Sequence, residues 1–164
     1  MAQTYEAITT QTLGSNQSTI TLSSIPQTYT DLIIIANGAS TSGGSMQTKF
    51  NGDAGANYSC TYYYGDGSSI AGGRSLSQSV GIFGARNGIG SQGGGIMQIN
   101  DYSNTTTYKG MFTRQFGYDQ IVWFSTGRWA STSAITSISF VDESGGQFTT
   151  GFTITLYGVK AGSA

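Results

Sequence analysis

Phe152-Thr-Ile-Thr-Leu-Tyr-Gly-Val159 decides how the rest of the chain is read. In an extended segment Phe152, Ile154 and Leu156 share one face, while Thr153, Thr155 and Tyr157 share the other. Side chains alternate across a strand, so apolar on one side and hydroxyl on the other marks a half-buried antiparallel strand. Thr19-Ile-Thr-Leu-Ser23 repeats the alternation, with Ile20 and Leu22 on one face. Met46-Gln-Thr-Lys-Phe50 does so again and stops at Asn51-Gly52, a strong turn dipeptide. Leu32-Ile-Ile-Ile-Ala36 differs, because its β-branched run is apolar at every position. That run predicts a strand buried on both faces.

Working outward, strand signals recur every 8–12 residues or so, the spacing of a sandwich or barrel. Further strands are expected at 58–64, closed by Gly65-Asp-Gly67, and in Ser79-Val-Gly-Ile-Phe-Gly84 and Ile96-Met-Gln-Ile99. Others are expected at 105–112, 120–124 and 134–141. Asp142-Glu-Ser-Gly-Gly146 reads as a hairpin joining the last two strands, and 68–95 is the least regular stretch. Within it Asn87-Gly-Ile-Gly90 and Gly93-Gly-Gly95 read as mobile connections. The expected fold is all-β: an antiparallel β-sandwich, jelly-roll-like, of about 8–10 strands. Residues 17–164 form one domain, and 1–16 an N-terminal extension that would serve as a contact arm.

Composition supports a packed domain. At 164 residues a chain buries roughly 70% of its unfolded surface. Ten Tyr, eight Phe and two Trp are available to fill a core. A lone cysteine, Cys60, closes no internal disulfide and reads as a small buried hydrophobe. Only 9% of residues are charged, against about 25% ordinarily. The surface is therefore built of hydroxyls and amides, which suits a protein that lives against other proteins, since interfaces shed lysine and glutamate. Seven basic and eight acidic residues lie scattered, with no basic stripe for nucleic acid. No run of apolar residues is long enough for a membrane helix, and no leader is evident, so a soluble protein without a signal peptide is expected.

Catalysis finds little support. The chain has no histidine, which removes Ser-His and Cys-His pairs and, with one cysteine, any zinc site. Paired carboxylates would have to come from Asp53, Asp66, Asp101, Asp119, Asp142 and Glu143. Most of these sit beside glycine or asparagine, where aspartate caps turns. Asn51-Gly-Asp-Ala-Gly-Ala-Asn57 has the alternating oxygens of a calcium loop but lacks its bidentate glutamate. It reads as a turn, with a weak cation site at Asp53 as the alternative. No catalytic residue, metal or cofactor is expected. Among the aromatics, Trp123 and Phe124 read as core. Tyr63 and Trp129 read as exposed, available to a protein interface or a glycan.

Several segments, taken in order, carry a family resemblance. They are Tyr29-Thr-Asp-Leu-Ile-Ile34, Phe50-Asn-Gly-Asp53 with Asn57-Tyr-Ser59, and Asp101-Tyr-Ser-Asn-Thr-Thr-Thr-Tyr-Lys109. Gly127-Arg-Trp-Ala-Ser-Thr132, Ala134-Ile-Thr-Ser-Ile138 and Gly151-Phe-Thr-Ile-Thr-Leu-Tyr-Gly158 follow. The series resembles small structural proteins of tailed bacteriophages, including those of cyanobacterial hosts. The resemblance implies a virion protein of jelly-roll type without catalytic residues. Its expected role is a capsid decoration (cement) protein, a homotrimer that binds the major capsid protein and stabilises the assembled shell. The alternative is a tail or fibre module that binds a host receptor or surface glycan. Either way the chain would be made in the host cytoplasm and reside on the virion.

Overall fold

The computed structural model describes residues 4–86, 93–117 and 121–160, with side chains described throughout except at 82–86. Every named strand pairing is antiparallel, and no helix occurs among the described residues. The twelve strands are β1 (Tyr5–Thr12), β2 (Thr19–Leu22), β3 (Asp31–Gly38), β4 (Ser45–Phe50), β5 (Tyr58–Gly65), β6 (Ile70–Gln78), β7 (Gly81–Arg86), β8 (Gly93–Asn100), β9 (Lys109–Phe116), β10 (Val122–Trp129), β11 (Ile138–Asp142) and β12 (Thr153–Val159). They form a wide sheet of eight strands, ordered β1-β12-β3-β8-β9-β10-β5-β6, and a narrow sheet of four, ordered β2-β11-β4-β7. The fold is a β-sandwich, as the alternation at Phe152–Val159 predicts.

The core lies between the sheets. From the wide sheet come Leu32, Ile34, Met97, Ile99, Ile154 and Leu156, all fully buried. Ile20, Met46, Phe50, Ile138 and Phe140 meet them from the narrow sheet, also fully buried. Each such side chain contributes about 1.5–3 kcal/mol on leaving water. Phe50 carries the contact to the far strands of the wide sheet. The Trp129 ring meets it edge-on at 5.5 Å between centroids, and Tyr58 lies nearly parallel to Trp129 at 6.3 Å. The Asn51-Gly52 turn fixes this corner. Both residues have positive φ, Asp53 N–H donates to Phe50 O at 2.9 Å, and the Asn51 amide bonds Ala134 O, Thr136 N and Ser137 N.

Four sequence expectations need correction. The 1–16 segment is no free arm, because Tyr5–Thr12 is the edge strand of the wide sheet, in register with β12. Its hydroxyls explain why it was passed over. Thr10 and Thr12 pair with Thr155 and Thr153 through their side-chain oxygens at 3.1 Å, a contact of the outer surface that shows no apolar pattern. Ile70–Gln78 is likewise a strand, hidden by its glycines, so the described residues hold twelve strands against the expected ten or fewer. Asp142-Glu-Ser-Gly-Gly146 is not a hairpin but a crossover, since β11 and β12 belong to different sheets. Finally, Gly93-Gly-Gly95 is strand rather than loop. A Cβ at Gly94 would stand 2.1 Å from Asn37 Oδ1 and 3.0 Å from the Phe116 ring, so only glycine lets these neighbours close over it. The 87–90 stretch lies outside the described residues.

Strand starts also moved where turns intervene. The Asn104 side-chain oxygen Oδ1 accepts from Thr106 N and Thr107 N, which holds that segment in a turn and delays β9 to Lys109. Truncating Phe140 to alanine empties the centre of the narrow sheet. Urea unfolding should show a loss of about 3–5 kcal/mol for Phe140→Ala; a loss under about 1 kcal/mol would mean that the sheets do not pack through it.

Candidate functional site

The two outer surfaces of the sandwich differ in kind. On β2, β4 and β11 of the narrow sheet the outward positions are Thr19, Thr21, Ser45, Gln47, Lys49, Ser139 and Val141, nearly all polar. The centre of the wide sheet is the reverse. Strand register aligns its outward side chains into rows that run across the strands. One row is Ile35, Ile96, Arg114, Phe124 and Tyr63, contributed by β3, β8, β9, β10 and β5. A second is Tyr157, Ile33, Gln98, Phe112, Thr126, Thr61 and Arg74. A third sets Phe116, Val122 and Ile70 along the same face.

These side chains are open to solvent. Phe112, Phe116 and Phe124 are 51%, 52% and 54% exposed, and Tyr63 is 61% exposed. Ile33 and Ile35 are half-buried by their neighbours alone. The expectation that 32–36 is buried on both faces is therefore corrected: its outer face has no second layer among the described residues. A depression of about 490 Å³ runs over this surface, lined by Ile33, Ile96, Phe112, Arg114, Phe124 and Tyr63 among others. A second of about 280 Å³ continues it toward Tyr157 and Tyr5, sharing Ile33, Ile96 and Arg114. Gly72 completes the surface, because a Cβ there would approach the Tyr63 ring to 2.9 Å.

Of the two aromatics singled out from sequence, Tyr63 lies in this groove and Trp129 does not. Trp129 is 2% exposed, packed on Phe50 and Tyr58, with its indole N–H donating to Asp53 Oδ2 at 2.6 Å. Phe124 reverses in the opposite sense, from expected core to open surface. One cause explains both. β10 continues to residue 129, so Trp123 and Trp129 share the inward parity while Phe124 points out. Trp123, expected in the core, points to the inner side but is only half-buried and outside the core cluster, stacked between Tyr62 and Tyr64 at 4.6 and 5.2 Å. Sequence reasoning missed Phe112, Arg114 and Phe116. Their shared parity on β9 was visible, but Met111, Thr113 and Gln115 on the other face are no more apolar, so the pattern left the inward side undecided.

The carboxylates serve turns. Asp53 accepts from Gly55 N, Asn57 Nδ2 and Trp129 Nε1, and the Trp129 bond above all holds its pKa below the usual value. These bonds give the carboxylate a structural role in the turn. Asp66 accepts from the hydroxyl and N–H of Ser68 and the N–H of Ser69, which draw its pKa down to about 2. Asp142 Oδ1 accepts from Ser42 Oγ and Ser144 N. Asp119 lies outside the described residues. Cys60 is buried as expected, and burial pushes its thiol pKa up, away from reactivity. Among the described residues no three His, Cys, Asp or Glu side chains converge to hold a metal.

No known protein family matches the sequence, and no characterised protein does. Among solved structures, the chain is similar to domains LG4-5 of the mouse laminin alpha1 chain, at 14% identity and a TM-score of 0.34, over 90% of this chain and 40% of that one. It is also similar to alginate lyase Aly36B in complex with an alginate tetrasaccharide, at 9% identity and a TM-score of 0.30, over 92% of this chain and 87% of that one. Both likenesses are distant. The fold stands on the strand order above.

Asp53→Ala should cost about 1–3 kcal/mol in urea unfolding by leaving the buried Trp129 N–H unpaired; a neutral outcome would contradict that role. The lowered carboxylate pKa values set an acid limit. Asp53 and Asp66 contribute stability above the unfolded value of about 3.9 and lose it as pH falls through their folded values. For Asp66 that loss extends to about pH 2. The denaturation midpoint should fall over this window and fall less in Asp66→Asn; a flat profile would contradict the assignment.

Proposed function

We propose that this chain is a non-enzymatic structural protein of a tailed-phage virion, a decoration protein that lays its wide sheet on the assembled shell. The observation that carries the reading is the outer face itself. Three phenylalanines, a tyrosine and an isoleucine ladder stand in register and open to water, while the outward positions of β2, β4 and β11 on the opposite sheet are nearly all polar. Monomeric proteins rarely keep contiguous apolar patches beyond a few hundred Å², and larger ones mark docking sites. Six strand spacings of about 4.8 Å give this face a width of roughly 29 Å, the scale of an interface burying about 800 Å² per partner. The family resemblance supplies the setting: a trimer against the major capsid protein on the capsid surface. A protein that binds only the assembled shell stabilises it by mass action, with no chemistry required.

A second reading has one observation in its favour. Tyr63 is exposed in the groove beside Phe124, with Thr61 and Thr126 in the adjacent row, a stacking ring with polar neighbours. That arrangement suits a tail or fibre module engaging a host glycan.

Immunogold labelling of intact particles separates the two. Decoration predicts gold spread evenly over heads, lost when Phe112→Ser and Phe124→Ser are combined in a chain that still melts cooperatively. Gold confined to tail tips would favour the glycan reading, and unlabelled particles would contradict both.

A further inference from the structure

We infer that the groove across the wide sheet takes an extended, acidic segment of the partner protein, with a carboxylate of that segment seated on Arg114. This rests on the docking reading above and adds the chemistry of what is docked. Arg114 stands at the centre of the face, between Ile96 and Phe124 in register, and belongs to both depressions. Its guanidinium has no ion pair and no hydrogen bond among the described residues. Arginine surrounded by aromatic and aliphatic side chains is the composition of an interface hot spot. A carboxylate met there binds in the fork of the guanidinium and gains strength as the surrounding rings exclude water.

The sign of the whole face agrees. Arg74 closes the second row and Arg128 lies outward on β10, 5.4 Å from the Tyr108 ring. The three rows contain no carboxylate. Asp31 lies outward on β3, two residues from Ile33, with its Oδ1 accepting from Asp101 N, and Asp66 is turned onto its own serines. The net charge of the chain is −1, yet the centre of this apolar surface carries Arg114 with no carboxylate in its row. A second copy docked face to face about a twofold axis through the centre of the face would bring Arg114 against Arg114, so charge argues against that pairing.

Shape favours an extended peptide. The two depressions join through Ile33, Ile96 and Arg114 into a trough that crosses the strands from Tyr63 toward Tyr5. At about 3.3 Å per residue, roughly eight or nine residues of extended chain span its ~29 Å. Apolar side chains of the segment would lie over Phe112 and Phe124. A glycan would find few partners, since apart from Arg114 and the Tyr63 hydroxyl only Gln98 and a few hydroxyls line the larger depression.

The test pans a display library of random linear dodecapeptides against the immobilised full chain, then measures resynthesised peptides by fluorescence anisotropy. The expected result is enrichment of Asp or Glu flanked by apolar residues. Affinity should fall with added salt and weaken about tenfold or more in Arg114→Gln. Enriched peptides without acidic bias, or affinity unchanged by Arg114→Gln, would overturn the inference. So would binding of sodium alginate or heparin without any peptide, which would put a glycan in the groove. Self-association in sedimentation that Phe124→Ser abolishes would put a second copy there and overturn it equally. If particles take up the chain through this face while no peptide is selected, the inference fails and docking stands. If Phe112→Ser/Phe124→Ser chain still binds particles, the docking reading itself fails.

Discussion

The packing of Phe140 and Phe50 against Leu32, Ile34 and Leu156 binds a four-stranded sheet to one of eight, and most else follows from that inequality. The wide sheet spends one face on this contact. Its other face has no partner layer within the described residues, so whatever side chains alternate outward meet water. On β12 and β1 those include Thr153, Thr155, Thr10 and Thr12, which bond one another in pairs, and Tyr157 and Tyr5, which continue the groove. On β3, β8, β9, β10 and β5 they are isoleucine, phenylalanine and tyrosine, which gain nothing from water. A core and an exposed apolar surface thus arise from the same strands, one residue apart in phase.

The turns and buried polar groups hold the first face so that the second stays flat. Asp53 ties Trp129, Gly55 and Asn57 into one corner, and Asn51 ties the same corner to the segment that leads into β11. Lys109 is fully buried at the start of β9, with its ammonium donating to Thr107 O at 2.9 Å and Thr132 O at 3.3 Å. Burial lowers its pKa, which the carbonyls make tolerable. These contacts fix the register of β9 and β10, and register is what aligns Arg114 with Phe124 and Tyr63. A slip of one residue would exchange the two faces.

The strands that the sequence makes legible are those with one polar side. Phe152–Val159 and Thr19–Leu22 declare both faces because hydroxyls alternate with aliphatics. β1 escapes because its polar residues answer polar residues, and β6 because glycine carries no pattern. The docking face was half legible. Leu32-Ile-Ile-Ile-Ala36 announces two apolar faces, which reads as double burial when a second layer is assumed; the sandwich shows that one layer has to come from elsewhere. Tyr63 was found because it sits in an aromatic run. Trp129 was misplaced because parity along β10 is only decided once the strand is carried through Gly127 to its end. Phe112, Arg114 and Phe116 were missed because neither face of β9 looks like a surface.

Hydroxyl-radical footprinting of the chain, free and bound to intact particles, tests the central claim most directly. The account predicts that Tyr63, Phe112, Phe116 and Phe124 lose oxidation on binding, while the exposed side chains of the narrow sheet's outer surface keep theirs. Undiminished oxidation of those four rings in the bound state, with protection on the narrow sheet instead, would contradict it.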